Sequence, residues 1–162
     1  MITPDYYDSF SCIGGSCKKN CCKGGWQIEI DDDALKRFSE IDGEFGEKVR
    51  GAIDDENCFR HVNGQCPLLS DDGWCEMALR GHELCTICDE YPRFTEFWEN
   101  YSERGISLSC EVAAQIILRN KKKVSLTGTS DGECTHPLFL MLIDAREKIF
   151  SLLQNRELDI FK

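Results

Sequence analysis

The chemistry of this sequence resides in its cysteines, of which the 162-residue chain has eleven. A cysteine can ligate a metal, carry redox chemistry or form half of a disulfide, and disulfides belong mainly to secreted proteins. An odd number leaves at least one thiol unpaired. The first ten residues contain two aspartates and lack the basic and apolar runs of a secretory signal. We therefore expect a cytoplasmic protein whose thiols bind metal.

The first group of thiols is the densest, with the spacing Cys12-x4-Cys17-x3-Cys21-Cys22. One Gly-Gly pair lies within this group and another follows it, and both let the backbone fold tightly while amide N–H groups point at sulfur. Such spacing favours metal ligation over simple packing. The two adjacent cysteines point in different directions, so they serve different metals or one of them only packs.

Three further segments supply thiols in patterns that favour ligation. An Asp-Asp-Gly turn brings Cys75 back toward Cys66, Cys85-x2-Cys88 has a common metal-binding spacing, and Cys110 opens a predicted helix whose dipole would stabilise a thiolate. The sequence thus predicts nine metal ligands: Cys12, Cys17, Cys21, Cys22, Cys66, Cys75, Cys85, Cys88 and Cys110.

The spacing also bears on the choice of metal. Zinc prefers two compact CxxC pairs, and this sequence has one, whereas an all-thiolate set spread over loops fits a [4Fe–4S] cluster better. We therefore expect a [4Fe–4S] cluster, with zinc as the alternative and with enough thiols for two centres. Cys58 and Cys134 stand apart and are predicted to pack, and His82 is a weaker candidate ligand near Cys85.

The sequence patterns of the elements that must position these thiols predict a mainly α protein with short β-strands, which is an α+β fold. We expect one domain over residues 1–162, with cysteine-rich loops and short elements over 1–110 and helices over 111–162. Ten of the eleven cysteines lie in the first part. Its sparse apolar residues cannot offset the entropy of ordering so many loops, so bound metal would supply stability that the core lacks.

Periodicity places the individual elements. Trp26–Ile30 alternates apolar and polar residues and predicts a strand, while the aromatic residues of 94–109 predict a hairpin turning near Glu99–Asn100. Three aspartates precede a predicted helix over 34–41, and a last helix follows Pro137 to about Arg156. The predicted core face of that last helix carries Leu138, Leu142, Ala145, Ile149 and Leu152 or Leu153.

The charge balance excludes some partners. A net charge of −10 is opposite to that of a typical nucleic-acid binder, and no stretch approaches the length of a membrane helix. We expect neither a nucleic-acid nor a membrane partner. Acidity suits a basic partner, such as a lysine-bearing peptide.

The order of these motifs resembles the flagellin lysine N-methylase family (FliB-like proteins), in the N-terminal, cysteine-bearing part of that family. A more distant likeness is to small cysteine-cluster proteins that chelate zinc or iron. The family likeness runs through residues 6–14, 21–26, 66–75, 88–93, 108–111 and 154–158.

The resemblance implies a [4Fe–4S] protein that uses S-adenosylmethionine to methylate lysine side chains of a protein. The nucleotide-binding GxGxG loop and the radical-enzyme spacing CxxxCxxC are both absent from the sequence. Methyl transfer needs a base, because lysine attacks only when neutral. Candidates beside the ligand cysteines are Asp89, Glu90, Tyr91 and Glu111, and Arg93 could bind the donor's carboxylate. The alternative is a non-catalytic module, either an electron-transfer iron–sulfur protein or a structural zinc protein.

Overall fold

A computed structural model describes residues 1–130, 132–155 and 157–158. Within that part of the chain it contains six α-helices and two pairs of short strands, which confirms the predicted α+β class. The elements in chain order are β1 (Thr3–Pro4), α1 (Asp32–Ser39), α2 (Gly43–Gly51), α3 (Glu76–Leu79), α4 (Thr86–Glu90), β2 (Arg93–Trp98), β3 (Tyr101–Ile106), α5 (Glu111–Arg119), β4 (Leu126–Thr127) and α6 (Pro137–Leu153).

The chain divides into two compact units. The thiol unit comprises Ser9–Arg93 and Ile106–Leu118, and the hairpin unit comprises Met1–Asp8, Phe94–Gly105 and the described residues from Arg119 onward. The expectation of one domain over the whole chain stays a prediction. None of the helices within the described ranges is both long and apolar enough to cross a bilayer.

The core of the thiol unit forms where α1 and α2 pack together. Asp31 caps α1 by accepting the N–H of Ala34 (2.9 Å), as the aspartate run predicts. Phe38 on α1 stacks on Phe59, with 6.2 Å between the ring centroids. The buried core residues are Ile30, Ala34, Phe38, Val49, Ala52, Phe59, Leu68, Met77 and Cys85.

The strand predicted over Trp26–Ile30 is wrong. In this segment only Glu29 takes part in a bridge, with Cys58. The partner segment cannot offer an extended edge, because it turns back on itself in a bridge between Ile53 and Phe59, and Asn57 has a φ of +59°. The alternating polarity of Trp26–Ile30 therefore reflects burial of one side of this segment, although the segment forms no ladder of hydrogen bonds with another strand.

The hairpin unit is built on β2 and β3, joined by the turn at Glu99–Asn100 that the sequence predicts. Glu99 has a φ of +51°, a left-handed conformation suited to a two-residue hairpin turn. A second antiparallel pair joins β1 to β4, with Thr3 opposite Thr127. This unit therefore confirms the predicted hairpin.

Helix α6 begins as predicted, with His136 capping it and Pro137 in the first turn. One face is fixed to the hairpin unit: Phe139 packs on Trp98 and Tyr101, with centroids 5.5 and 4.7 Å away, and Arg146 pairs with Glu103 at 2.5 and 2.8 Å. Residue 156, the expected helix end, lies outside the described residues.

The face of α6 predicted to join the core is instead exposed, so that prediction is wrong. Leu142, Ile149 and Leu152 are 47%, 52% and 61% exposed. The reason is that α6 is anchored by a different face, through Phe139, Arg146 and a hydrogen bond from Gln154 to the Val124 carbonyl (3.0 Å).

Candidate metal centre

Three segments of the thiol unit bring six cysteines together, which we call the six-thiol cluster. The Cys22 thiol interacts electrostatically with Cys21, Cys66 and Cys75, and the Cys88 thiol with Cys85, Cys22 and Cys66. The members of the cluster are Cys21, Cys22, Cys66, Cys75, Cys85 and Cys88.

Backbone hydrogen bonds join the first two of these segments. The Cys66 N–H donates to the Cys22 carbonyl (2.8 Å), and the Asn20 side chain donates to the Gly73 carbonyl (2.8 Å). Asn20 also accepts the Cys22 N–H (2.9 Å), which fixes the short turn that carries the two adjacent cysteines. The chain around Cys22 is therefore held against the turn between Cys66 and Cys75.

An indole ring completes this junction. A β-carbon on Gly14 would lie 2.0 Å from Trp74, and one on Gly15 would lie 2.5 Å from it, so any other residue would displace the ring. Gly14 also has a φ of +51°, which glycine adopts without strain. The first Gly-Gly pair is thus explained by the close approach of Trp74.

The third segment is tied to the apolar core by Asp31. Besides capping α1, Asp31 accepts the N–H of Thr86 at 2.7 Å, which fixes the start of α4 directly after Cys85. The hydrogen bond from Thr86 is the main reason that the pKa of Asp31 is lowered. Cys85 is almost fully buried and belongs to the core, so its position depends on the same packing that holds α1.

Hydrogen bonds between neighbouring thiols polarise the cluster. The Cys22 thiol donates to Cys21 and lowers the Cys21 pKa to about 6, while the Cys88 thiol donates to Cys85 and lowers the Cys85 pKa to about 7. The donor pKa values are correspondingly raised. Burial raises the pKa of Cys66 to about 11, although the Leu68 N–H donates to its sulfur. Two thiols are therefore poised to ionise near neutral pH.

This donor set fits a metal that prefers thiolates. All six donors are sulfur, and backbone N–H groups point at several of the sulfurs, as is usual around iron–sulfur clusters. Within the described residues, no group of three or more Cys, His, Asp or Glu side chains already stands in position to hold one ion. The six thiols are therefore the candidate ligands of a metal centre in this unit.

A second, smaller group lies in the same unit and includes two of the predicted ligands. The Cys17 thiol donates to Glu111 Oε2 (3.7 Å), which also accepts the Lys19 N–H (3.1 Å), and Cys17 interacts electrostatically with Cys110. Burial is the main reason that the pKa of Cys17 is raised. We call Cys17, Cys110 and Glu111 the Cys17 group.

Tyr91 is the candidate acid–base residue that interacts with both groups. Its hydroxyl donates to Ser109 Oγ (3.2 Å), and its ring makes an edge contact with Trp26, with centroids 5.0 Å apart. Burial raises the pKa of Tyr91, and the thiols of Cys110, Cys21 and Cys17 act in the same direction.

The other predicted site residues have different surroundings. Cys12 is exposed and accepts the Gly14 N–H (3.4 Å). On α4, Asp89 is exposed and Glu90 is half-buried. The Arg93 guanidinium stacks over Phe10 (4.9 Å) and donates to its carbonyl (3.4 Å). These four assignments stay predictions, as do the ligand and acid–base roles of the residues described above.

Three residues that the sequence made weak candidates or non-ligands are His82, Cys58 and Cys134, and each packs outside the six-thiol cluster. His82 stacks on Phe45, with 5.5 Å between the rings. Cys58 is buried and accepts from the Gln27 side chain (3.5 Å), and Cys134 is buried in the hairpin unit.

Sequence reasoning missed three supporting residues. Asn20 before the Cys-Cys pair is a common turn-capping residue and could have been found from that signal. The aspartate run indicates that Asp31 caps a helix, but not that its second oxygen binds Thr86. Nothing local to Trp74 indicates that it packs on a glycine pair some sixty residues earlier.

Fold and site together define a small α+β protein with a thiol-rich candidate metal centre. The chain is 25% identical to the lysine N-methylases of Salmonella typhimurium and Salmonella choleraesuis over 94% of its length, and it spans about two fifths (40%) of theirs. It is also 25% identical to the flagellar biosynthetic protein FliU of Salmonella muenchen, over 78% of this chain and 81% of FliU. No family model and no solved structure matches the chain. The curated matches confirm the resemblance to FliB-like proteins at the level of sequence similarity.

Proposed function

We propose that this chain is the metal-binding part of a protein-lysine N-methylase, with a [4Fe–4S] cluster held by the six-thiol cluster and S-adenosylmethionine as methyl donor. The observation that carries the proposal is the assembly of six cysteines from three separate segments at the edge of one core. The names of the curated relatives support lysine as the acceptor.

The sulfur-rich site favours iron–sulfur chemistry over a purely structural thiol arrangement. Six thiols exceed the four that one structural zinc requires, and N–H donation to cysteine sulfur tunes iron–sulfur clusters. When bound, such a cluster would supply an iron site for the amino and carboxylate groups of the methyl donor. That role leaves at least one iron without a cysteine ligand.

The chain's own residues would handle the substrate proton. A lysine ammonium must lose a proton before its nitrogen attacks a methyl sulfonium, so a base is required. Glu111 is the best-placed candidate, because its carboxylate is half-buried within the Cys17 group. Tyr91 would orient a polar group through its hydroxyl, and the acidic surface would attract lysine-bearing segments.

The test begins with protein purified without oxygen. We expect iron and acid-labile sulfide in a ratio near one, a change in the EPR spectrum of the reduced cluster on adding S-adenosylmethionine, and a methyl mass increment on a lysine peptide. Cys88→Ser should abolish the cluster, whereas Cys58→Ser, a buried thiol in the same unit, should retain it. Iron-free wild-type protein would refute the cluster.

A non-catalytic module is the second candidate, because the chain also matches FliU, whose name describes flagellar biosynthesis and not methyl transfer. In that case the donor would leave the EPR spectrum unchanged. A reversible one-electron potential would then identify an electron-transfer protein, and stoichiometric zinc a structural one.

A further inference from the structure

The exposed face of α6 has the spacing of a helix-pairing seam. Its apolar residues recur at intervals of four, three, four and three, the a/d pattern of a coiled coil. All are exposed, between 46% and 61% for the four large side chains. We call these residues the α6 seam: Leu138, Leu142, Ala145, Ile149 and Leu152.

The seam is separate from the face that fixes α6 within its own unit. On a helix with 3.6 residues per turn, the seam is centred about 110° around the axis from the anchoring face of Phe139, Arg146 and Gln154. Those three side chains contact the hairpin unit. The helix is therefore already ordered, and its second apolar face would need no further folding to pair.

We propose that the α6 seam pairs with the same seam of a second copy, in antiparallel orientation about a two-fold axis at Ala145. The seam reads nearly the same in both directions: Leu138 would face Leu152 of the other copy, and Leu142 would face Ile149. A two-fold interface requires such self-complementarity. This inference is independent of the proposed function.

The area available fits a dimer of modest stability. A leucine-sized side chain offers roughly 100 Å² of apolar surface, so the seam with its flanking Met141 and Leu153 exposes roughly 350 Å² per copy. Two copies would together bury roughly 700 Å² of apolar area. Because about 60% of an interface is apolar, the total buried area would be about 1,200 Å². That value is at the lower limit of stable interfaces.

Charge also favours this face for two chains that each carry −10. The seam itself contains no charged residue, and the charges beside it are already neutralised. Lys148 pairs with Asp144 on the same helix (2.5 Å), and Arg146 pairs with Glu103. Contact across this surface would therefore add little like-charge repulsion of its own.

Sedimentation velocity of the full chain, from low micromolar to several hundred micromolar, tests the proposal. We expect a reversible monomer–dimer equilibrium that Leu142→Glu and Ile149→Glu each weaken at least tenfold. Leu140→Glu is the matched control, since Leu140 is 53% exposed on the same helix but lies off the seam. A wild-type monomer at every concentration, or equal effects of all three variants, would overturn the proposal, whatever else covers the seam.

A charge pair tests the orientation. Leu138→Lys and Leu152→Glu should each weaken the dimer, and the double variant should recover it, because antiparallel chains bring the new lysine opposite the new glutamate. In a parallel dimer each new charge would face itself, so a double variant weaker than either single one would overturn the antiparallel arrangement. Far-UV circular dichroism checks that each variant remains folded.

Discussion

The two units of this chain are stabilised in different ways. The thiol unit has its cysteines in loops and one-turn elements beside a nine-residue core, whereas the hairpin unit depends on two strand pairs, one long helix and ring packing. Loops that lack a regular hydrogen-bond ladder need cross-links such as bound metal to stay ordered. Helices and strands satisfy the hydrogen bonds of their own backbone groups. The comparison teaches that metal should matter for one unit and side-chain packing for the other.

Metal removal should produce the largest difference between the units. Structural metal sites contribute on the order of 10 kcal/mol to folding, so a chelator or Cys66→Ser should unfold the thiol unit. Hydrogen exchange measured by mass spectrometry should show faster exchange there and unchanged protection in α6 and the hairpin. Cys58→Ser should keep the metal. Identical melting of the metal-free and metal-loaded chains would break the comparison.

Phe139→Ala tests the opposite side of the comparison. Removing this buried ring should cost the hairpin unit about 3–5 kcal/mol, because it packs on both Trp98 and Tyr101. Chemical denaturation followed by hydrogen exchange would locate the loss. Metal content should be unchanged, and a loss of metal in this variant would show that the two units do not depend on separate forces.

Glu103→Gln should have a smaller effect that depends on pH. Burial raises the pKa of Glu103, but hydrogen bonds from Arg146 and Tyr101 outweigh it, so the pKa lies below its ordinary value. A lowered folded pKa gives stability above the unfolded pKa, about 4.3, that is lost as the pH falls through the folded value.

At neutral pH the Glu103→Gln substitution should therefore cost about 1–3 kcal/mol, and the difference from wild type should shrink below about pH 4. Thermal melts across that range provide the measurement. Glu96→Gln, on β2 of the same hairpin, serves as an exposed control. A difference that is constant with pH would rule out the ion pair as its cause.

Asp31→Ala should have the smallest effect, within the thiol unit. It removes the cap of α1 and the acceptor for Thr86, with an expected loss of about 1–2 kcal/mol. Urea denaturation of the metal-loaded chain measures this loss of unfolding free energy. Asp31→Asn keeps one acceptor oxygen and should lose less; equal losses in the two variants would argue against a capping role.

Local signals in the sequence predicted much of the regular structure. The aspartate run, His136-Pro137 and the aromatic hairpin are short-range signals, and each corresponds to an observed cap or turn. Grouping of the cysteines by spacing identified the segments that carry the clustered thiols, because close spacing restricts how far thiols within one segment can separate.

Long-range partners could not be read from the sequence. The 26–30 segment alternates like a strand, but whether it forms a ladder depends on a partner that turns away at Asn57. The apolar periodicity of α6 predicts a buried face without indicating whether the covering surface belongs to the same chain. Likewise, spacing alone did not separate Cys17 and Cys110 from the six-thiol cluster.

The contact between Trp74 and the Gly14–Gly15 backbone gives the molecule a built-in optical reporter. The three tryptophans divide unevenly, since Trp26 and Trp74 belong to the thiol unit and Trp98 to the other. Indole emission is quenched by nearby iron and shifts to longer wavelength when water reaches the ring. With Trp26 and Trp98 replaced by phenylalanine, emission from Trp74 would therefore follow the joining of the first and second cysteine segments in real time, without any added dye.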